Sequence, residues 1–106
     1  MAWIYLVVAG LMEIAWALAL KYSQQFSQLV PTLIFVVSAT ISIVLLGMAL
    51  KQIPIGTAYA IWTGIGAAGV AIVGMVFLND PVTLFRILFI SLIIVGVLGL
   101  KMTAGE

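Results

Sequence analysis

Four long apolar segments, separated by short polar breaks, set the pattern of this chain. The segments cover about residues 3–20, 30–50, 55–78 and 82–100, and each approaches the roughly 20 residues that a helix needs to cross a bilayer. The breaks contain polar, basic and helix-terminating residues: Lys21 and residues 23–28, then Lys51 and Pro54, then Asn79, Asp80 and Pro81. Asn79 and Asp80 before Pro81 predict a helix cap followed by proline in the first turn. The pattern predicts an all-α fold of four transmembrane helices, up-down-up-down, in a single domain over residues 1–106.

Composition leaves an integral membrane protein as the only reasonable class. Hydrophobic residues make up 66% of the 106 and charged residues only 7%, too few to cover the surface of a soluble domain. The N-terminus lacks a basic region and a cleavage site, so we expect the first segment to be a retained span. Cysteine and histidine are absent, and no metal-ligand cluster or phosphate-binding loop is present. We therefore expect no cofactor, no metal, no nucleic-acid partner and no enzyme activity.

The basic residues give no preferred orientation in the membrane. Lys51 and Lys101 fall on the side of the termini, and Lys21 and Arg86 fall on the other side. The positive-inside rule is therefore balanced at two against two, which favours insertion both ways and an antiparallel homodimer. The alternative is that one orientation dominates for reasons that this count misses. Four helices are also too few to enclose a polar cavity well, and a second copy would supply the inverted repeat that many transporters use.

Glu13 is the candidate centre of the chemistry. It is the only acidic or basic residue within the first apolar segment, where a charge costs roughly 2.5–3.5 kcal/mol. Such residues usually mark the path of an ion or a substrate. A proton or a monovalent cation can each neutralise this carboxylate.

Several aromatic, polar and small residues are candidates to surround Glu13. Trp16 lies one turn further along and can stack on a planar cation, although an interfacial tryptophan is the simpler interpretation. Tyr59 and Trp62 begin a polar-aromatic stripe that suggests a cavity lining. Gly64 and Gly66 permit either bending of the third helix or close contact with another helix. Gly96 and Gly99 indicate a packing surface on the fourth helix. Ser38 and Ser42 share a face of the second helix, although such hydroxyls often bond within their own helix.

Taken together, these motifs resemble those of the small multidrug resistance family of bacterial four-helix exporters. The resemblance covers essentially the whole chain and rests on GLME at 10–13, PIGTAYAIWTGIG at 54–66 and GVLGLK at 96–101. Within the family, EIAWA at 13–17 is similar to the guanidinium exporter subtype, whereas the quaternary-ammonium subtype typically has a small residue in place of Trp16. The loop 79–81 departs from the subtype, which bears on topology more than on substrate.

The resemblance implies a multi-pass protein of the bacterial inner membrane that exchanges cations for protons as an antiparallel dual-topology dimer. It implies that Glu13 is the shared proton and substrate site. It assigns the site lining to Trp16, Ser42, Tyr59 and Trp62, a third-helix hinge to Gly64 and Gly66, and the dimer contact to the fourth helix at Gly96 and Gly99.

The hypothesis is therefore proton-coupled export of guanidinium by alternating access. Guanidinium matches a carboxylate in bidentate geometry. Ser42 would fix the carboxylate, the indoles of Trp16 and Trp62 would bound the flat faces, and Tyr59 would couple the two subunits. The runner-up is a polyspecific exporter of quaternary-ammonium and aromatic cations that uses the same Glu13. A non-transporting structural protein, a channel and an obligate heterodimer are further alternatives.

Overall fold

The computed structural model describes residues 1–103, which form four α-helices. These are α1 (Ala2–Tyr22), α2 (Leu29–Ala49), α3 (Ile55–Phe77) and α4 (Leu84–Thr103). Each is long and apolar enough to cross a membrane, and residues 1–103 contain no strand. The predicted all-α fold with four membrane-spanning helices is confirmed. The last three residues of the predicted 1–106 domain lie outside the described part of the chain.

A tight turn organised by Ser23 joins α1 to α2. The Ser23 hydroxyl donates to the carbonyl oxygen of Leu20 at 2.7 Å and accepts from the backbone N–H of Phe26 at 3.2 Å. Residues Gln24, Gln25 and Phe26 all have left-handed backbones, with φ of 49°, 63° and 67°. The chain reverses within these few residues, and α1 and α2 then make the most extensive helix contact of the fold.

The fourth helix begins later than the sequence predicted, and its cap is a different residue. The Thr83 hydroxyl accepts from the backbone N–H of Arg86 at 3.1 Å, so Thr83 caps α4 and the predicted cap at residues 79–80 is wrong. Asn79 has a φ of 61°, and Asp80 folds back onto the end of α3. The Asp80 backbone N–H donates to the carbonyl oxygen of Gly74 at 3.0 Å, and its carboxyl group lies against Gly74. The loop is thus part of the end of α3 instead of the start of α4.

The four helices form a thin slab in the order α2, α1, α3, α4. Helix α1 packs on both α2 and α3, whereas α4 contacts α3 and buries none of its own residues. The extents of the chain along its principal axes are 43, 35 and 17 Å, so the shortest is less than half of the longest. The buried core lies at one end, around Leu6, Ile53 and Ile61. Large apolar side chains remain exposed on all four helices.

Small residues let α1 and α3 approach each other closely. A Cβ atom added at Gly10 would overlap the Cβ and Cγ2 atoms of Ile65, and one added at Gly69 would overlap the Ile14 side chain. By contrast, a Cβ at Gly47 on α2 would meet nothing within 4 Å. The small residues of the α1–α3 contact thus set the distance between the two helices that carry most of the candidate site.

Candidate functional site

Glu13 lies in the middle of α1, where that helix packs against α3. Its carboxyl group occupies the space that a side chain at Gly66 would fill, because a Cβ built there would overlap Glu13 Oε1. Gly66 is buried and Glu13 is half-buried. The Oε1 atom is shielded from solvent and has no hydrogen-bond partner among residues 1–103. The carboxyl group therefore offers an unsatisfied oxygen at the α1–α3 contact.

Ser42 joins three helices next to this contact. Its hydroxyl donates to the carbonyl oxygen of Ala9 on α1 at 2.7 Å and accepts from the indole N–H of Trp62 on α3 at 2.9 Å. Ser42 itself is fully buried on α2. Ala9 is one turn before Glu13, and Trp62 is one turn before Gly66, so the bonds fix the same segments that hold the carboxyl group. In the single chain the Ser42 hydroxyl is bonded to Ala9 and Trp62, not to Glu13.

Tyr59 extends the aromatic stripe from Trp62 to an uncovered face of α3. The two ring centroids are 5.6 Å apart with the planes tilted by 54°. Tyr59 is 56% exposed. Thr63, in the same stripe, donates its hydroxyl to the carbonyl oxygen of Tyr59 at 2.8 Å, a bond within its own helix. Tyr59 thus lies on the uncovered surface of α3.

Trp16 packs toward α2, whereas Glu13 faces α3. The Trp16 and Phe35 rings pack in a T-shaped arrangement, with centroids 5.9 Å apart and planes at 79°, and the centroid of Phe35 in turn lies 5.5 Å from that of Phe26. The Trp16 indole nitrogen is shielded and has no partner among residues 1–103. The single chain therefore brings Glu13 and Gly66 together and joins Ser42 to Trp62 and Trp62 to Tyr59, while Trp16 stands in an aromatic cluster of its own.

Two contributors to this site were missed by the sequence reasoning. Phe35 sets the environment of Trp16, and the carbonyl oxygen of Ala9 holds Ser42. Neither carries a signal in the sequence, because Phe35 is one apolar residue among many in its segment and a backbone carbonyl has no residue type. Only the register between helices identifies them.

The four glycines of the predicted hinge and dimer contact differ in what surrounds them. A Cβ at Gly64 would collide with Val97 of α4, and Gly66 receives the Glu13 carboxyl group. Helix α3 is continuous through both positions, so the hinge stays a prediction. Around Gly96 and Gly99 nothing lies within 4 Å of an added Cβ. The dimer contact also stays a prediction.

Comparison with known proteins identifies the family. The family model described as Small Multidrug Resistance protein matches residues 1–93. The chain belongs to the small multidrug resistance family. Family membership and four membrane-spanning helices make it a multi-pass protein of the bacterial inner membrane.

Similar proteins within the family share about half of their residues with this chain. A protein named guanidinium exporter from Yersinia pseudotuberculosis is 53% identical over 104 residues, which cover 98% of this chain and 100% of the relative. The guanidinium exporter of Salmonella typhimurium is 49% identical, with 98% and 99% covered. The guanidinium exporter of Escherichia coli strain K12 is 48% identical over 103 residues, with 97% and 98% covered. The resemblance predicted from the motifs is confirmed, for both the family and the subtype of these relatives.

The bond between Ser42 and Trp62 generates a stability prediction. Ser42→Ala removes both bonds and leaves the Trp62 N–H without its acceptor, which we expect to lower the free energy of unfolding by about 1–3 kcal/mol. Reversible unfolding in mixed detergent micelles measures this change. A double-mutant cycle with Trp62→Phe should give a coupling energy of about 0.5–1.5 kcal/mol.

Ser91→Ala is the matched control, because its exposed hydroxyl bonds the Ile87 carbonyl oxygen of its own helix at 2.7 Å. We expect that variant to change stability by less than about 0.5 kcal/mol. Equal losses in the Ser42 and Ser91 variants would contradict the role given to the three-helix bond.

Proposed function

We propose that this protein is a proton-coupled exporter of guanidinium and small guanidinyl cations. The observation that carries the proposal is the Glu13 carboxyl group, held in the middle of a membrane-spanning helix with one oxygen unpartnered among residues 1–103. A buried polar atom without a partner is costly, and a cationic ligand would supply the missing bond. Similar proteins named guanidinium exporters support the choice of cation.

The chemistry of guanidinium suits this carboxyl group. The cation is planar and presents parallel N–H pairs, so two N–H groups can donate to the two carboxylate oxygens at once. Its flat faces bind aromatic rings through cation–π contacts. Trp62 is held beside the site by Ser42, and Trp16 would supply a second ring. The lining of the site by Trp16, Ser42, Tyr59 and Trp62 is part of this proposal.

Proton coupling follows because a proton and guanidinium compete for the same carboxylate. Glu13 is the only acidic residue within the four helices; Asp80 is in a loop and Glu106 is at the C-terminus. A proton or guanidinium can neutralise the carboxylate, but not both together, so binding of one releases the other. Two Glu13 residues in a dimer would release at most two protons for each monovalent cation. An exchange of two protons for one monovalent cation moves net charge across the membrane, so it responds to voltage as well as to the pH gradient.

The working unit in this proposal is an antiparallel homodimer with dual topology. Three features support this unit: the short third dimension of the chain, the exposed Tyr59 and the open surface at Gly96 and Gly99. A second, inverted copy would cover these faces, with α4 as the contact. Access would alternate as each protomer adopts its partner's conformation, with bending at Gly64 and Gly66 and with Tyr59 coupling the subunits.

Substitution of Glu13 tests the coupling directly. In vesicles with a trapped pH indicator, we expect guanidinium added outside to drive proton movement by the unmodified protein and none above background by Glu13→Gln. The amide keeps the shape of the side chain but cannot exchange a proton. Asp80→Asn is the matched control, because it removes the loop carboxylate, and it should transport normally. Coupled transport by Glu13→Gln would contradict the mechanism.

The same vesicles discriminate the runner-up function. Proton movement driven by tetraethylammonium or by a bulky aromatic cation as well as by guanidinium would indicate a polyspecific multidrug exporter. Silence with all three cations would indicate that a second polypeptide is missing.

Dual topology predicts labelling from both sides of the membrane. The chain has no cysteine, so Gln25→Cys in the exposed α1–α2 turn gives a single reactive site. We expect a membrane-impermeant maleimide to label about half of the molecules in intact cells and the rest after permeabilisation, because the basic residues are balanced. Adding Gln24→Lys and Gln28→Lys should hold this turn inside and abolish labelling of intact cells. One-sided labelling of the chain with Gln25→Cys alone would contradict dual topology.

A further inference from the structure

A cavity of about 310 Å³ lies between α1, α3 and α4, apart from Glu13. This volume is at the lower end of the roughly 300–1,000 Å³ of small-molecule pockets. Ten residues line it, and nine of them are aliphatic, glycine or tryptophan: Trp3, Val7, Ile61, Gly64, Ile65, Ala68, Ile94, Val97, Leu98 and Lys101. The lining has no acceptor side chain for a polar ligand. The interior therefore suits a hydrocarbon.

One cation stands at the end of this cavity. The ammonium group of Lys101 lies 5.0 Å from the centroid of the Trp3 ring. Trp3 is in the first turn of α1 and Lys101 is near the end of α4, so both are at the membrane side of the N-terminus. Tryptophan and lysine at helix ends lie at the level of the lipid headgroups. An ammonium group has three N–H donors, and the Trp3 ring contacts only one side of it, so donors remain available for an anion.

We propose that this cavity binds an anionic phospholipid, with an acyl chain between α1, α3 and α4 and the phosphate on Lys101. An apolar cavity that ends in a single cation at headgroup depth matches an amphiphile with an anionic head and a hydrocarbon tail. Binding requires neither guanidinium nor a proton, so it stands apart from the proposed transport function.

A second copy of the chain is the competing occupant of this cavity. In an antiparallel pair, the acid brought to the side of Lys101 would be Asp80 of the other copy. The Asp80 carboxyl group already lies against Gly74 of its own chain, and its backbone N–H is bonded to the same residue. Asp80 is thus held in the loop between α3 and α4, whereas the phosphate of a lipid is free to move to Lys101, so the lipid is the occupant that we propose.

Native mass spectrometry of the purified protein tests the headgroup contact. The protein is supplied with equal amounts of phosphatidylglycerol and phosphatidylcholine, and the lipid retained by each oligomer is counted. We expect a preference for phosphatidylglycerol that falls about fivefold in Lys101→Gln, because one lysine near the surface has about that effect. Lys101→Arg should keep the preference. Lys51→Gln is the matched control, because it removes a cation from the same membrane side but away from the cavity, and it should also keep the preference.

A second pair of variants tests the acyl chain. Leu98→Trp places a large side chain into the lining of the cavity, and we expect retention of either lipid to fall several-fold. Ile43→Trp makes a similar change on α2, outside the cavity, at a comparably exposed residue, and should retain lipid normally. Equal retention of the two lipids by the unmodified protein, or an undiminished preference in Lys101→Gln, would overturn the proposal. Loss of the dimer in Leu98→Trp with no lipid bound to the unmodified protein would also overturn it, because the occupant would then be a second copy.

Discussion

The cost of holding a carboxyl group inside a bilayer is the constraint on which the rest of this structure depends. Glu13 lies among apolar helices, where an ionised side chain is less stable than in water by several kcal/mol. The chain makes space for it by leaving out a side chain at Gly66, so that the carboxyl group fills the α1–α3 contact. One of its oxygens nevertheless remains without a partner among residues 1–103. The fold thus positions the carboxyl group but leaves one of its oxygens available to a ligand.

The surrounding packing keeps that group in a defined place. The Ser42 hydroxyl bonds α1 and α3 from α2, and the small residues Gly10 and Gly69 bring α1 close to α3. Other surfaces remain uncovered. No residue of α4 is buried, and Tyr59 on α3 is exposed. In the transport mechanism that we propose, a second copy covers these surfaces and completes the site.

Much of this fold was predictable because hydrophobicity alone determines where a chain crosses a bilayer. The four apolar segments predicted four helices, which is confirmed, and the lone charge at Glu13 predicted the centre of the candidate site. The start of α4 was not predictable from the same signals. Asparagine, aspartate and threonine are all favourable caps, so the sequence did not show that Thr83 would cap α4 while Asp80 folds back onto Gly74. The bond from Ser42 to the Ala9 carbonyl oxygen and the contact of Trp16 with Phe35 depend likewise on the register between helices. The placing of Ser42 and Trp62 in one site came from the family resemblance, and the family itself is confirmed.

Whether guanidinium binds at Glu13 can be measured as a distance. The chain has two glutamates, so a Glu106→Gln protein with ¹³C-labelled glutamate reports on the Glu13 carboxyl carbon alone. With ¹⁵N-labelled guanidinium in lipid bilayers, solid-state NMR dipolar recoupling gives the separation of that carbon from the guanidinium nitrogens. The bidentate contact predicts about 3.5–4 Å, since each N–H···O⁻ bond is about 2.7–2.9 Å long. Saturating guanidinium without measurable coupling to Glu13 would contradict the account.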